Sequence, residues 1–572
     1  MGIRMTCPRS IIAVITAVFM LGVVSSATAQ TPVQAPNMPQ DQNDPPKGHG
    51  FVPMPMDLSH LTGERESDAL RVVQAPSSWD WRESGKVTSV KDQGACGSCY
   101  SFASLANIES KMLLDGEGTF DFSENNAKEC NWYGTSCDGG NYWTMADWYS
   151  KKGTVLESCD PYVASDVSCK STCPYIKTLV DWRVISSDNV PATAILQDYI
   201  YTYGPVYTTF YAGDDLNQAW RDEYAAYDGS YTLYYSGTEA TNHAVLIVGW
   251  DDDLVHAGGT GAWIVKNSWG TGWGGTCGYG TEGGYFTIAY GSALIGHYSS
   301  YIYGWQDYEE NEQLMYYDDG GYTSSWGYSH VTAWGLCKFV PTNDIYVNQV
   351  EFWTNDVTTD IDVYIYDDFN GVSLSNLLTS QPNSSFEEAG YHSVALDTPP
   401  EIASDNAIYA VVKFTNATYG FPVVTDNLAP IVTGKTYMSF DGSAGTWTDM
   451  GVSYANDIAI RIRTSPTLIV AADDIHESSP NDFSLSHNYP NPFNPATTID
   501  YELRVESHVD ISIYNLLGQK VNTVVDEVKP AGEHSTRWDG TDSNGKQVPS
   551  GVYFYRIESR EYTDSKKMLL LR

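Results

Sequence analysis

Apolar side chains crowd the stretch after Cys99, at Tyr100, Phe102, Ala103, Leu105, Ala106 and Ile108. Their density predicts a buried helix, entered from the glycine-containing turn just ahead of it. Farther along, the pattern changes to short apolar runs of strand length around 204–206, 244–249, 262–266 and 285–289. Helices first and strands second over 76–295 predict an α+β domain. From 298 to 465 the chain alternates, with Ile361, Val363 and Ile365 facing one way and Asp362, Tyr364 and Tyr366 the other. A denser run follows at 407–414, and this texture predicts an all-β sandwich. After a linker over 466–484, alternation returns at Val509, Ile511 and Ile513, among Gly and Asn turns. A second, smaller sandwich is predicted over 485–572.

The N-terminus has a different pattern. Arg4 and Arg9 precede an apolar run over 11–24, and Ala27-Thr28-Ala29 follows. That order predicts a signal peptide over 1–29, removed after Ala29, because the run is too short to span a bilayer. No later stretch is long and apolar enough to cross a membrane. Residues 30–75 are rich in Pro, Gln, Asn and Asp and read as a pro-segment or spacer. With 572 residues, several domains are expected.

Charge narrows the class of partner. Asp and Glu outnumber Lys and Arg by 71 to 32, for a formal charge of −39. Such a surface disfavours nucleic acid and anionic membranes. The run Asp251-Asp252-Asp253 reads as a solvated turn rather than a calcium site. Ten cysteines suit an oxidising compartment. Cys7 lies in the leader, and setting Cys99 apart leaves an even number, whose connectivity sequence does not fix.

Three strings carry chemistry: Gln93-Gly94-Ala95-Cys96-Gly97-Ser98-Cys99-Tyr100, Asn242-His243-Ala244-Val245 and Lys266-Asn267-Ser268-Trp269-Gly270. A thiol attacks a carbonyl as thiolate, so an unperturbed value near ~8.5 has to be lowered. A helix N-terminus at Cys99 and an imidazolium at His243 would both do so. Taken singly, Cys96 and Cys99 would be a redox pair or half a metal site, His243 a core histidine, and Asn267 a turn residue. No thioredoxin-like pattern precedes the pair, and no second pair stands at zinc spacing.

In this order the three strings resemble the papain-like cysteine peptidases, from about Ser78-Trp79-Asp80-Trp81-Arg82 to Tyr290. The resemblance implies a two-lobed α+β peptidase with the active site between the lobes. It makes Cys99 the nucleophile, His243 the acid and base, Asn267 the orienting amide, and Gln93 the oxyanion donor beside the Cys99 N–H. Trp269 would roof the His243–Asn267 hydrogen bond. Cys137-Asp138-Gly139-Gly140 resembles a turn whose glycines, Gly139 and Gly140, pair with extended substrate. Trp143, Thr209, Thr241 and Asn242 align with walls of the subsite for the second residue before the scissile bond. The same resemblance pairs Cys96 with Cys137 and Cys130 with Cys169. It leaves Cys159, Cys173, Cys277 and Cys337 without counterparts, Cys159 with Cys173 being a local pairing. Neither a metal nor an organic cofactor is implied. Tyr100 departs from the Trp usual in the family. The family is usually held inactive by a helical pro-region, which the 30–75 segment does not suggest.

The later domains bring weaker resemblances. Gln313-Leu314-Met315-Tyr316-Tyr317-Asp318 and Val331-Thr332-Ala333-Trp334-Gly335 resemble a lectin-like domain that follows the peptidase in some bacterial proteins. Its implied ligand is a glycan or other surface group, the plain alternative being a packing spacer. Tyr489-Pro490-Asn491-Pro492-Phe493-Asn494-Pro495, Trp538-Asp539-Gly540 and the tail ending Lys566-Lys567-Met568-Leu569-Leu570-Leu571-Arg572 resemble the Ig-like sorting domain of type IX secretion cargo. The expected architecture is multidomain: a papain-like peptidase, an all-β sandwich and a C-terminal Ig-like β-sandwich. Bacterial secretion machinery and polypeptide substrates are the expected partners, and the outer surface or exterior the expected location. A surface adhesin that uses the papain-like part as a scaffold is the alternative, and a peptidoglycan-cleaving enzyme a further rival. The Gln93, Cys99, His243 and Asn267 set weighs against the first, since a scaffold needs no thiolate. The Asn-Ser-Trp-Gly string and Gln93 weigh against the second.

Overall fold

The computed structural model describes residues 30–35, 49–54, 56–64, 75–428, 430–468 and, with short gaps, 476–570. The expected signal peptide over 1–29 lies outside them, as do 36–48 and 65–74 of the expected pro-segment. Among the described residues no helix is long and apolar enough to cross a membrane.

The first helix, α1 (Cys99–Leu114), buries nearly every side chain. It holds no Gly or Pro and one β-branched residue, Ile108, so nothing interrupts its propagation. Burial on all sides forces its charged residues to find partners: Glu109 accepts from Thr88 Oγ1 at 2.6 Å, Lys91 Nζ at 2.9 Å and the Phe122 N–H at 3.0 Å. Helix α2 (Glu124–Cys130) starts where the Ser123 hydroxyl accepts from the Asn126 N–H. Helix α3 (Tyr142–Lys151) starts at a capping box made by Asn141 and Thr144.

Two short strands precede α1, β1 (Val33–Gln34) and β2 (Ser78–Asp80); those after α3 are β3 (Lys177–Val184), β4 (Val206–Phe210), β5 (His243–His256), β6 (Gly259–Lys266), β7 (Tyr285–Ala289) and β8 (His297–Asp307), and all but β1 share one sheet. They pair in the order β7-β6-β5-β4-β8-β3, with β2 on β5. The apolar start of β5 is buried on both faces, α1 covering one of them. Two sequence expectations shift here. Residues 298–307, read as the head of the sandwich, lie in β8 and pair with β3 and β4 of the preceding α+β domain. The Asp251-Asp252-Asp253 run is no turn: it continues β5 toward a hairpin with β6.

The sheet does not stop at β3. That strand pairs with residues 389–391, and the same sheet runs on through Ile345–Thr354 and Ile460–Ser465 to Gln313–Met315. Glycine makes this junction: a Cβ on Gly390 would lie 2.2 Å from the Trp182 carbonyl oxygen. A second sheet of six strands faces this extension. Ile361, Val363 and Ile365 point into the shared core with Val350, Phe352 and Ile462, as the alternation predicts. The leading strand β1 adds to a small separate sheet by pairing with Trp326 and Gly327.

The C-terminal unit is a sandwich of three strands over four. Val509, Ile511 and Ile513 share its core with Trp538, Tyr555 and Leu570.

Candidate active site

Cys99 opens α1, and its side chain is fully buried. Its Sγ accepts from the Ala244 N–H at 3.3 Å. That contact sets the thiol beside the start of β5, where His243 is the first residue. His243 Nε2 donates to Asn267 Oδ1 at 2.9 Å; an amide oxygen only accepts, so Nε2 carries the hydrogen. Nδ1, which has no hydrogen-bond partner among the described residues, is then the ring atom available to a thiol proton. Asn267 follows the end of β6, so the β5–β6 hairpin register brings the two residues together.

Gln93 comes from the loop before the nucleophile. Its backbone N–H donates to the Ser268 carbonyl at 2.8 Å, its Oε1 accepts from Ser268 Oγ at 2.6 Å, and its Nε2 donates to the Cys96 carbonyl at 2.8 Å. The carboxamide is thereby fixed with its nitrogen toward the Cys96–Cys99 turn.

Burial controls the electrostatics. It pushes the Cys99 thiol up to about 12, against the N–H groups of Ala244, Tyr100 and Cys99 itself, which favour the thiolate. It lowers His243 to about 3, helped by His49 and opposed by the hydrogen bond to Asn267. Burial in the covered cleft thus disfavours the charged forms of both Cys99 and His243.

What covers it is the leading segment. The Gly50 and Phe51 N–H groups both donate to the Asn242 carbonyl at 3.2 Å. The Val52 N–H donates to the Gly140 carbonyl, and the Gly140 N–H to the Gly50 carbonyl, both at 2.9 Å. Phe51 and Gly140 thus pair in parallel. His49 stacks on Trp269, with centroids 6.0 Å apart and planes 7° from parallel, and its ring lies 5.5 Å from that of His243. Sequence reasoning missed all of these contacts. The apolar residues Phe51, Val52, Met54, Met56 and Leu58, following a Pro-, Gln-, Asn- and Asp-rich stretch, were the available signal.

The other expected residues fall as follows. Gly139 and Gly140 line the covered groove, and a Cβ on Gly140 would lie 2.8 Å from the Tyr100 ring. Tyr100, in place of Trp, anchors its hydroxyl on the Ser136 carbonyl at 2.9 Å. Thr209 Oγ1 donates to Thr241 Oγ1 at 2.9 Å, and both residues are buried. Asn242 offers its backbone carbonyl to the groove, while its side chain ties Ala212 and Gly213. Trp143 turns its ring toward Trp182, Tyr322 and Trp353. Disulfides join Cys96 to Cys137, Cys130 to Cys169 and Cys159 to Cys173, while Cys277 and Cys337 are free thiols. Among the described residues no group of three or more His, Cys, Asp or Glu side chains is arranged to hold a metal ion.

Comparison with known proteins agrees with this geometry. Residues 75–304 match the papain family cysteine protease model, 314–464 the lectin-like domain, and 487–571 the secretion system C-terminal sorting domain. Cysteine proteinase 2 of Entamoeba histolytica is 34% identical over 209 residues, covering 35% of this chain and 62% of that protein. Ananain of Ananas comosus is 33% identical over 234 residues, covering 39% and 58%. The chain thus spans about three-fifths of these relatives. The crystal structure of the cysteine protease and lectin-like domains of Cwp84, a surface layer associated protein of Clostridium difficile, superposes with a TM-score of 0.61. It is 18% identical and covers 77% of this chain and 99% of that one, a likeness of fold. The chain therefore carries a papain-family cysteine protease domain, followed by a lectin-like domain and a secretion-system sorting domain.

Proposed function

We propose that the whole protein is a secreted or surface-attached cysteine endopeptidase, made as a latent precursor. One observation carries the reading: Cys99 Sγ at a helix N-terminus, bonded to the residue next to His243, whose Nε2 donates to Asn267 at 2.9 Å. Once the cleft is uncovered, His243 Nδ1 takes the thiol proton and the Cys99 thiolate attacks a peptide carbonyl. The Gln93 carboxamide and the Cys99 N–H stabilise the oxyanion. His243 returns the proton to the leaving amine, giving an acyl-enzyme and a free amine. Water, deprotonated by the same imidazole, then hydrolyses the thioester and regenerates the thiol.

The leading segment supports both latency and endopeptidase action. From His49 beside Trp269 it passes Asn242 and Gly140 as extended backbone, the path an internal stretch of a polypeptide substrate would follow. Its direction argues against its own cleavage. His243 must face the leaving amine, so a productive chain has its C-terminal part near His243 and Trp269 and its N-terminal part near Gly140. The segment runs the other way, with His49 beside Trp269 and Val52 beside Gly140.

The sorting domain supports passage through bacterial secretion machinery and a location outside the cell, with the lectin-like domain meeting a glycan or another surface ligand. The test is intact mass spectrometry of the processed protein after an epoxide thiol inhibitor, beside Cys99→Ala. A single adduct on wild type and none on the variant is expected. An unlabelled processed protein would refute the peptidase reading and favour the adhesin.

A further inference from the structure

The lectin-like domain supplies one wall of a cleft that starts at the catalytic groove. This cleft, of about 590 Å³, lies between α3 with the Gly139–Gly140 turn on one side and Tyr322, Trp353 and Leu428 on the other. Its back is aromatic: Trp143 meets Tyr322 edge-on at 5.0 Å and stacks on Trp353. The Asp147 carboxylate behind it is already paired with Lys151 and Arg461. The cleft is also lined by the Asp319 carboxylate, so an anionic side chain entering here would lose water and meet like charge, whereas an apolar one would gain burial.

The structure also shows what such a site accepts. Val52 packs on Gly139, where an added Cβ would lie 2.8 Å from its Cγ2. Met54 is buried in the apolar cluster that contains Trp143, Tyr322 and Trp353. A chain that crosses the catalytic centre therefore already delivers a large apolar side chain to the wall made by the lectin-like domain. In that segment Phe51 pairs with Gly140 and Met54 stands farther along the chain against this wall, so a substrate in the same groove reaches it beyond the second residue before its scissile bond.

We propose that this interdomain cleft is an extended acyl-side subsite for a bulky apolar side chain of the polypeptide substrate, so that the lectin-like domain sets part of the cleavage preference. The proposal rests on the peptidase reading above. Its test uses the full chain after removal of the leading segment. Fluorogenic peptides would differ only at the third and fourth residues before the scissile bond, carrying Leu, Met or Phe against Gly or Glu. Wild type is expected to favour the apolar peptides in kcat/KM by about 10–100-fold. Leu428→Asp places a charge on the rim at a side chain that is 73% exposed, where the fold is not at risk. It is expected to cut the apolar-over-glycine ratio roughly tenfold.

A second measurement needs no turnover. A labelled peptide with the sequence of residues 49–56 is titrated into the processed Cys99→Ala protein, with and without Met54→Ser in the peptide. The substitution is expected to weaken binding roughly tenfold, and Leu428→Asp in the protein to erase that difference. Active enzyme whose preference ignores Leu428→Asp, with equal binding of both peptides, overturns the subsite and leaves the peptidase reading intact. Failure to cleave any peptide while the binding difference persists refutes the peptidase reading and retains the apolar cleft.

Discussion

The indole of Trp143 stacks on that of Trp353, with centroids 5.1 Å apart and planes 19° from parallel. One ring belongs to α3 of the peptidase and the other to a strand of the lectin-like sheet. Trp182 of β3 stands edge-on to both. The helix that starts at the Gly139–Gly140 groove is therefore packed from behind by another domain.

The same contact is held by charge. Arg461 is fully buried, donates through Nε to Asp318 at 3.0 Å and bonds Asp147 of α3. Asp147 is held below the usual carboxylate range by Arg461 and Lys151, against its burial. Arg461→Met leaves two buried carboxylates short of a partner, a loss of about 3–5 kcal/mol. A clear drop in melting temperature and a raised KM are expected. An unshifted melting curve would show that the interdomain ion pair does not stabilise the fold.

Gln93→Ala removes a carboxamide held by Ser268 and aimed at the Cys96–Cys99 turn. A fall in kcat by about 10²–10³ with KM nearly constant is expected for an oxyanion donor. Steady-state kinetics decides the point, since an unchanged kcat removes Gln93 from the reaction.

Asn267→Ala takes away the acceptor 2.9 Å from His243 Nε2. The ring then loses its tautomer and its orientation, and kcat is expected to fall about 10²-fold or more. The labelling rate with an epoxide should fall in parallel, because it reads the same thiolate. Normal labelling with slow turnover would instead assign Asn267 to a later step.

Gly50 passes so close to the turn before Cys99 that a Cβ there would lie 1.9 Å from the Gly97 carbonyl oxygen. Gly50→Val cannot keep the covered geometry, so its thiol should label in the uncleaved chain at a rate near that of processed enzyme. An unlabelled uncleaved variant would mean that something other than this segment closes the cleft.

Acid should loosen the cover through His49. Burial, then the charge of Arg221, lowers His49 to about 4, while released into water it returns to 6.5. A depressed value means that the stability of the covered state is complete above 6.5 and is lost as pH falls toward 4. At pH 5 the loss is about 2 kcal/mol. The rate of Cys99 labelling in the uncleaved chain is expected to rise over that window. His49→Phe should flatten the rise, and an identical profile in that variant would assign the acid response to another group.

Much of this protein is determined by sequence alone. Cys99, His243, Asn267 and Gln93 were legible as candidates because each sits in a short string whose local conformation its own residues specify: a glycine turn into a helix, and strand ends at β5 and β6. The alternation at Ile361, Val363 and Ile365 settled the sandwich in the same way, since a strand has only two faces. Tertiary structure decided what depends on distant partners. Periodicity could not assign the strand over 297–307, because a strand's pattern does not name its neighbours and β8 pairs with β3 and β4. The string from His49 to Met54 carries apolar residues at Phe51, Val52 and Met54, but a stretch so short does not name the surface that covers it. It is buried because Gly140 and Asn242 offer unpaired backbone groups and Trp269 offers a ring. The direction in which burial pushes Cys99 and His243 likewise comes from the fold, since both side chains are shut off from water.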